Sequence, residues 1–235
     1  MSFDPLEAVG LVMAEGDVYG GCFRYRNEHT LLTAKHCLPS TGDAIAVFPR
    51  SGRSQPIVRF ERHPTADIAL LVTETQASDS GSGYPDSAFW GSVSNWSLGE
   101  EFMAFGYPTE GPSPDTRSGS SPVPRLFVGH YQRFFDYLSP SGDLYLVGEM
   151  SIPAPAGLSG SPLFRAAAPQ MVTGLVTTNL ESYVVTDSVV EVSDSGKEYR
   201  EEARKVISYG LALTLSGVTD WLREVLPSRS GLGLT

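Results

Sequence analysis

The chain holds only two cysteines in 235 residues, Cys22 and Cys37. That is too few for the disulfide-dense framework of a small secreted domain. The four histidines are scattered and share no paired spacing with the cysteines, so no zinc site and no other metal is expected. No apolar run is long enough to cross a bilayer. Basic residues are also scarce: 17 Lys and Arg face 27 Asp and Glu, a formal charge of −10. This excludes a nucleic-acid or anionic-membrane surface as the main partner and disfavours acidic substrates at long range. The first sixteen residues have neither a basic n-region nor an apolar stretch of signal-peptide length. The expected location is therefore the cytoplasm, or outside the cell if Met1 replaces a removed signal or pro-segment.

What is present is ordinary globular material: 41% apolar residues supply a core. The dominant period is two. Strands are expected at Val9–Ala14, Gly21–Arg26, Thr30–Thr33, Ala44–Phe48, Ile57–Glu61 and Ile68–Thr73, separated by Gly, Pro, Asn and Asp turns. Residues 74–96, rich in Ser, Gly and Asp, read as a crossover anchored by Phe89, Trp90 and Trp96. A second series follows at Glu100–Tyr107, Arg125–Phe134, Asp143–Met150, Ser161–Arg165, Met171–Thr178 and Ile207–Leu215. The Pro/Ser/Gly run 108–124 reads as a loop open to proteolytic nicking. Leu180–Val206 reads as a loop whose charged part is a short hairpin tip or a solvated helix. Ser216–Leu226 has helical spacing and ends at Pro227, and the tail from Ser228 reads as frayed.

Three short runs carry chemistry. Thr33-Ala34-Lys35-His36-Cys37 follows the third strand, Ala66-Asp67-Ile68-Ala69-Leu70-Leu71 opens the sixth, and Gly157-Leu158-Ser159-Gly160-Ser161-Pro162 precedes a strand of the second series. A serine hydroxyl is a poor nucleophile until an imidazole takes its proton. The imidazole in turn needs a carboxylate to fix its tautomer and stabilise its charged form. The order His36, Asp67, Ser159 supplies base, orienter and nucleophile, in the chain order of the chymotrypsin-like proteases. His29, His63 and His130 lack such a context and read as ordinary surface or loop residues. Asn95-Trp96-Ser97 matches a glycosylation acceptor by chance.

On these three motifs and the strands between them, the chain resembles the trypsin-like, chymotrypsin-fold serine peptidases from about Val9 to Trp221. The resemblance implies an all-β fold: two packed six-stranded antiparallel barrels with a C-terminal helix. The expected division is 1–96 for the barrel and crossover carrying His36 and Asp67, and 97–235 for the barrel carrying Ser159. It implies that His36 is the general base, that Asp67 orients it and that Ser159 attacks the scissile carbonyl. The N–H groups of Gly157 and Ser159 would form the oxyanion hole. It places Pro153, Ala154, Thr177, Thr178, Asn179 and Gly210 around the substrate, in a neutral pocket that Asn179 narrows. Glu181, Asp187 and Glu191 are the acids whose loop could reach its mouth. Cys22 and Cys37 stand where many relatives join adjacent strands, leaving a disulfide and two buried reduced thiols as open alternatives.

Two positions depart from the family pattern. Leu158 stands where self-activating zymogens carry the aspartate that pairs with a new N-terminus, so that ion pair is excluded. The oxyanion loop must then be preformed by other contacts or be set by an activating protein partner. Ser161 replaces the commonest glycine, a change that bacterial relatives tolerate. The implied activity is a serine endopeptidase acting on polypeptides through an acyl-enzyme without a cofactor, with a narrow processing or regulatory role inside the cell. The rival readings are a non-enzymatic binding module with a vestigial triad and a broad degradative protease that has lost its leader.

Overall fold

A computed structural model of the chain describes residues 3–40, 43–74, 88–91, 96–109, 123–192, 195 and 197–226. Most of the expected crossover, most of the 108–124 loop, Asn95, Pro227 and the tail lie outside the described residues. The first six strands are β1 (Val9–Ala14), β2 (Asp17–Arg24), β3 (Thr30–Thr33), β4 (Ala44–Phe48), β5 (Arg53–Arg62) and β6 (Ala69–Thr73). They close into a barrel in the order β1-β2-β3-β6-β5-β4, every pairing antiparallel. Its interior holds Val12, Cys22, Leu31, Ala46, Phe48 and Leu71. A one-turn helix, α1 (Pro5–Ala8), leads into it, capped by the Asp4 carboxylate.

After the short strand β7 (Trp90–Gly91) come β8 (Glu101–Gly106), β9 (Arg125–Leu138), β10 (Leu144–Met150), β11 (Pro162–Arg165), β12 (Ala168–Val192) and β13 (Glu198–Thr214). Strands β8 to β13 form the second six-stranded barrel, in the order β11-β8-β9-β10-β13-β12 and closed by pairing of β11 with β12. The β7 strand adds to it in parallel, Trp90 opposite Met171, so the chain reaches the second sheet before residue 97. The interior here is built on Phe102, Tyr131, Met150, Leu163, Val176 and Ala212. A 3-10 turn, Leu215–Val218, precedes the C-terminal helix α2 (Thr219–Val225), so the helical spacing read from Ser216 begins as the tighter coil. A third cluster joins the barrels: Phe23, Leu32, Ile68 and Leu70 from one side meet Phe105, Phe164, Leu175 and Leu213 from the other, with Leu222 of α2.

The described residues from Leu180 to Val192 and from Glu198 to Val206 are strand rather than loop or helix. Strands β12 and β13 run on as one hairpin, in register from Gly174 opposite Thr214 to Val192 opposite Glu198, with bulges at Val176/Thr178 and Val185/Asp187. Tyr183, Val184, Val185, Val189 and Val190 are exposed, so neither face is buried and no alternation marks the strand in sequence. The charged run of β13 makes a ladder on one face instead: Arg204 and Arg200 both bond Glu202, and Arg204 covers the Tyr183 ring. The hairpin carries Asp187 away from the pocket, while Glu181 stays two residues from Asn179 and exposed. Asp187 lies eight residues beyond Asn179, roughly 26 Å along an extended strand.

Candidate active site

The site lies where the two barrels meet. His36 sits in the 3-10 turn Lys35–Cys37 that ends β3. Asp67 stands two residues before β6, the strand that pairs with β3, so the antiparallel register brings both residues to one end of the barrel. The Asp67 carboxylate takes two bonds from the same residue. Its Oδ1 accepts from the His36 backbone N–H at 3.0 Å, and its Oδ2 accepts from Nδ1–H at 2.7 Å. This fixes the tautomer that leaves Nε2 open to take a proton. The His36 side chain is 48% exposed and that of Asp67 14%. Burial disfavours the imidazolium, but the hydrogen bond to Asp67 and the Cys37 sulfur favour it more, and the His36 pKa is pushed up to about 10.

Ser159 is held against the first barrel through its backbone: Gly21 N–H donates to the Ser159 carbonyl at 2.7 Å, and Thr33 Oγ1 donates to the Gly21 carbonyl at 2.7 Å. Gly160, at φ +83, passes directly over Gly21 and Thr33, where any Cβ would collide. The Ser159 hydroxyl donates to the Thr177 carbonyl at 2.6 Å. A turn about its Cα–Cβ bond is needed to direct it to His36.

The loop before Ser159, where the oxyanion hole is expected, is held by other contacts than the zymogen ion pair. Leu158 is fully buried among Phe102, Leu163 and Val176, so an apolar anchor replaces the salt bridge. Thr109 N–H donates to the Ala156 carbonyl at 2.8 Å. In a trans peptide the next N–H points the opposite way, so the Gly157 N–H faces away from Thr109. Gly157 has φ +84 and packs on the backbone of Tyr107 and Thr109, a position that only glycine fits. Ser161, the second departure, fits because Gly21 and Gly106 present no side chains to it.

The remaining substrate positions divide. Asn179 bonds both backbone groups of Ala154, at 2.7 Å each, and Gly210 N–H donates to the Ile152 carbonyl at 2.7 Å. Thr177 is buried and its Oγ1 donates to the Leu211 carbonyl, so it offers Ser159 its carbonyl rather than its side chain. Pro153 is exposed, and the atoms facing Gly210 belong to Met150, Ile152 and Ala154. A cleft of about 380 Å³ opens beside His36 and Asp67, with Tyr137, Pro140, Tyr145 and Thr178 on its other walls. Lys35 spans it to Asp143 at 3.6 Å. Burial, with the charge of Asp67 nearby, raises the Tyr145 pKa and keeps its phenol neutral.

The disulfide alternative is overturned: both cysteines are free, buried thiols. Cys22 packs inside the first barrel, whereas Cys37 belongs to the inter-barrel cluster and directs its Sγ at the Ser159 carbonyl, 3.6 Å away. His63 is the residue that sequence reasoning missed. Its Nδ1 accepts from Thr65 N–H at 3.2 Å and Ala66 N–H at 2.8 Å, shaping the turn that presents Asp67, and its ring meets Trp221 edge-on at 5.1 Å. Its place four residues before Asp67, followed by Pro64, was the available signal. Among the described residues no cluster of His, Cys, Asp and Glu could hold a metal ion, and no helix is long and apolar enough to cross a membrane.

The structure resembles several proteases. The Rv3671c protease of M. tuberculosis in its active form superposes with a TM-score of 0.64 at 14% identity, over 97% of this chain and 90% of that one. Neuropsin, a serine protease of the mouse limbic system, gives 0.63 at 12% identity over 95% and 97%. The HtrA-type protease AlgW, solved with a tripeptide, gives 0.62 at 16% identity over 96% of this chain and 62% of that one. At these identities the likeness shows the fold alone. No curated protein matches the sequence. The sequence itself matches the trypsin-like peptidase domain over residues 20–175, well over half of its length, and the chain belongs to that family.

Proposed function

We propose that this protein is a serine endopeptidase that cleaves polypeptides through an acyl-enzyme, with Ser159, His36 and Asp67 as its catalytic residues. The observation that carries the reading is the pair of hydrogen bonds from His36 to the Asp67 carboxylate, which occupies Nδ1 and leaves Nε2 to act as the base toward Ser159. Ser159 Oγ leaves the Thr177 carbonyl and gives its proton to Nε2 as it attacks the peptide carbonyl carbon. The resulting oxyanion is received by the N–H groups of Gly157 and Ser159, donors whose loss is typically worth about 3 kcal/mol of barrier. The imidazolium, stabilised by Asp67, returns its proton to the leaving amine. A water molecule then repeats the attack on the ester and releases Ser159.

The pinned oxyanion loop supports an enzyme that needs no N-terminal cut. The two free thiols suit a reducing compartment and so favour the narrow, intracellular role over the broad degradative one. The test is covalent labelling by an alkyl fluorophosphonate together with cleavage of a peptide library. The wild type is expected to be labelled, Ser159→Ala to lose labelling entirely, and His36→Ala to lose roughly four to six orders of magnitude in turnover, as triad members act as a unit. A folded wild type that neither labels nor cleaves would make the binding-module reading correct.

A further inference from the structure

We propose that the free edge of β12 from Leu180 to Val192 is a docking strand, which takes a basic, extended segment of the substrate N-terminal to the cut. The proposal rests on the peptidase reading, which puts the cut at Ser159. Up to Val176 this edge of β12 is occupied. Strand β11 pairs with it as far as Leu175. Gly160 N–H then donates to the Val176 carbonyl at 2.8 Å, and Val176 N–H donates to the Ser161 carbonyl at 2.9 Å. The Thr177 carbonyl takes the Ser159 hydroxyl. Beyond that point β12 pairs, among the described residues, only with β13 on its other side. The edge thus opens at the nucleophile, and its part from Leu180 to Val192 runs on for about 40 Å.

A row of unpaired backbone N–H and C=O groups is a template for another strand. Proteins that have no use for such an edge blunt it with lysine, proline or a covering element. Residues 180–192 contain no Lys, Arg, Pro or Gly. They present Tyr183, Val184, Val185, Val189 and Val190 instead, all exposed. Charge on this strand is of one sign. Glu181 and Asp187 are exposed on β12, whereas Arg200 and Arg204 stand on β13 and are tied to Glu202.

These features choose the occupant. A second copy paired through the same edge would bring acids toward acids with no cation between them, in a chain of formal charge −10. A segment with Lys or Arg among β-branched residues instead meets the carboxylates and covers the valines. Its main chain supplies affinity and its side chains supply selection, as in other cases of strand addition. Antiparallel pairing, which β12 makes with both β11 and β13, lays the residues before the cut along this edge. Counted one for one from Thr177, they run from about the fourth to the fourteenth residue upstream.

The experiment measures second-order labelling rates with peptidyl phosphonates that share one alanyl warhead. One carries a short peptide before the warhead. Three carry an extension of about fourteen residues: alternating Val and Lys, alternating Val and Glu, and the Val-Lys sequence interrupted by prolines that cannot pair. Labelling by an alkyl fluorophosphonate is measured beside them. The Val-Lys extension is expected to label the wild type at least about tenfold faster than the short peptide. The glutamates, the prolines and the double substitution Glu181→Lys/Asp187→Lys should each remove most of that gain. A wild type that the fluorophosphonate labels, but that gains less than this from the Val-Lys extension, overturns the proposal and leaves the peptidase reading intact. So does a gain that survives the glutamates, the prolines or the double substitution. A dimer in sedimentation at the assay concentration that Val185→Lys dissociates puts a second copy on the edge and also overturns it. A wild type that the fluorophosphonate does not label overturns both.

Discussion

Ser159 Oγ donates to the carbonyl of Thr177 at 2.6 Å, while the imidazole of His36 is bonded to Asp67 on its opposite side. The hydroxyl therefore rests on β12, and giving its proton to His36 would take a side-chain rotation away from that carbonyl. Ser159 itself is pinned through its own carbonyl by Gly21 N–H. Binding of an extended peptide beside Thr177 would favour that rotation by competing for the space the hydroxyl occupies.

The charge state of His36 sets the pH dependence. A base must be neutral to accept a proton, and this imidazole is raised from 6.5 to about 10, chiefly by the bond to Asp67 working against burial. Activity is therefore expected to climb with pH through the alkaline range rather than level off near neutrality. Asp67→Asn should move the inflection down while cutting turnover by about 10⁴. The sign for stability is opposite. The protonated ring is the better-held form, so its contribution is full below the unfolded value of 6.5 and is lost as pH climbs through about 10. A pH–rate profile of kcat/KM with its inflection at or below 6.5 would sink this account.

His63 is expected to position Asp67 without touching substrate. Its Nδ1 must be unprotonated to accept the Thr65 and Ala66 N–H groups, and burial together with the charge of Lys35 lowers its pKa, which keeps it so. The stabilisation is present above the unfolded pKa and is lost as pH falls through the lowered folded one. His63→Ala should destabilise by about 1–2 kcal/mol through the two unpaired donors and should lower kcat with little change in KM. Urea melts and steady-state kinetics read the two effects. A variant with unchanged kcat would make His63 purely structural.

The period-two pattern located every strand of the two barrels, because their turns carry Gly, Pro, Asn or Asp, though β12 and β13 run far beyond their expected bounds. Strand β1, Val9–Ala14, and strand β3, Thr30–Thr33, have the bounds the pattern gives. The pattern fails from Leu180 to Val206 for a physical reason: a two-stranded ribbon with both faces in water has no buried side to write an alternation. The pairing of His36 with Asp67 was legible because the chemistry demands those residue types. What backbone does was not legible, as with the Thr109 N–H that bonds the Ala156 carbonyl and the Ala154 peptide that Asn179 binds.

Ser161 should be improvable. It is fully buried, and its Oγ has no hydrogen-bond partner. A buried hydroxyl without a partner costs about 1–3 kcal/mol, while its β-carbon fills the space that Gly21 and Gly106 leave. Ser161→Ala keeps the carbon and removes the orphaned oxygen, so a gain of about 1 kcal/mol is expected. Ser161→Gly, the commoner residue in the family, should gain less because it empties the space as well. Denaturant midpoints of the three proteins decide the order. A destabilised alanine variant would mean that the hydroxyl holds a bound water.

The two thiols make the last prediction. Cys22 is fully buried in the first barrel, and burial pushes its pKa up to about 12 against the opposing pull of Arg24. A thiol held protonated in an apolar interior is a poor nucleophile, since the thiolate is the reactive form. Native protein should therefore resist thiol reagents at neutral pH, and denatured, unreduced protein should titrate with two equivalents. Reductant should leave the melting temperature unchanged, because there is no bond whose loss could free the unfolded chain. The Cys22→Ala and Cys37→Ala variants separate the sites. Cys22→Ala should cost stability through the cavity it leaves in the barrel. Cys37→Ala should also remove a sulfur that helps to hold the proton on His36, lowering the pH at which activity rises. If denatured protein showed no titratable thiol until it was reduced, both the free-thiol assignment and this link between Cys37 and the base would fall together.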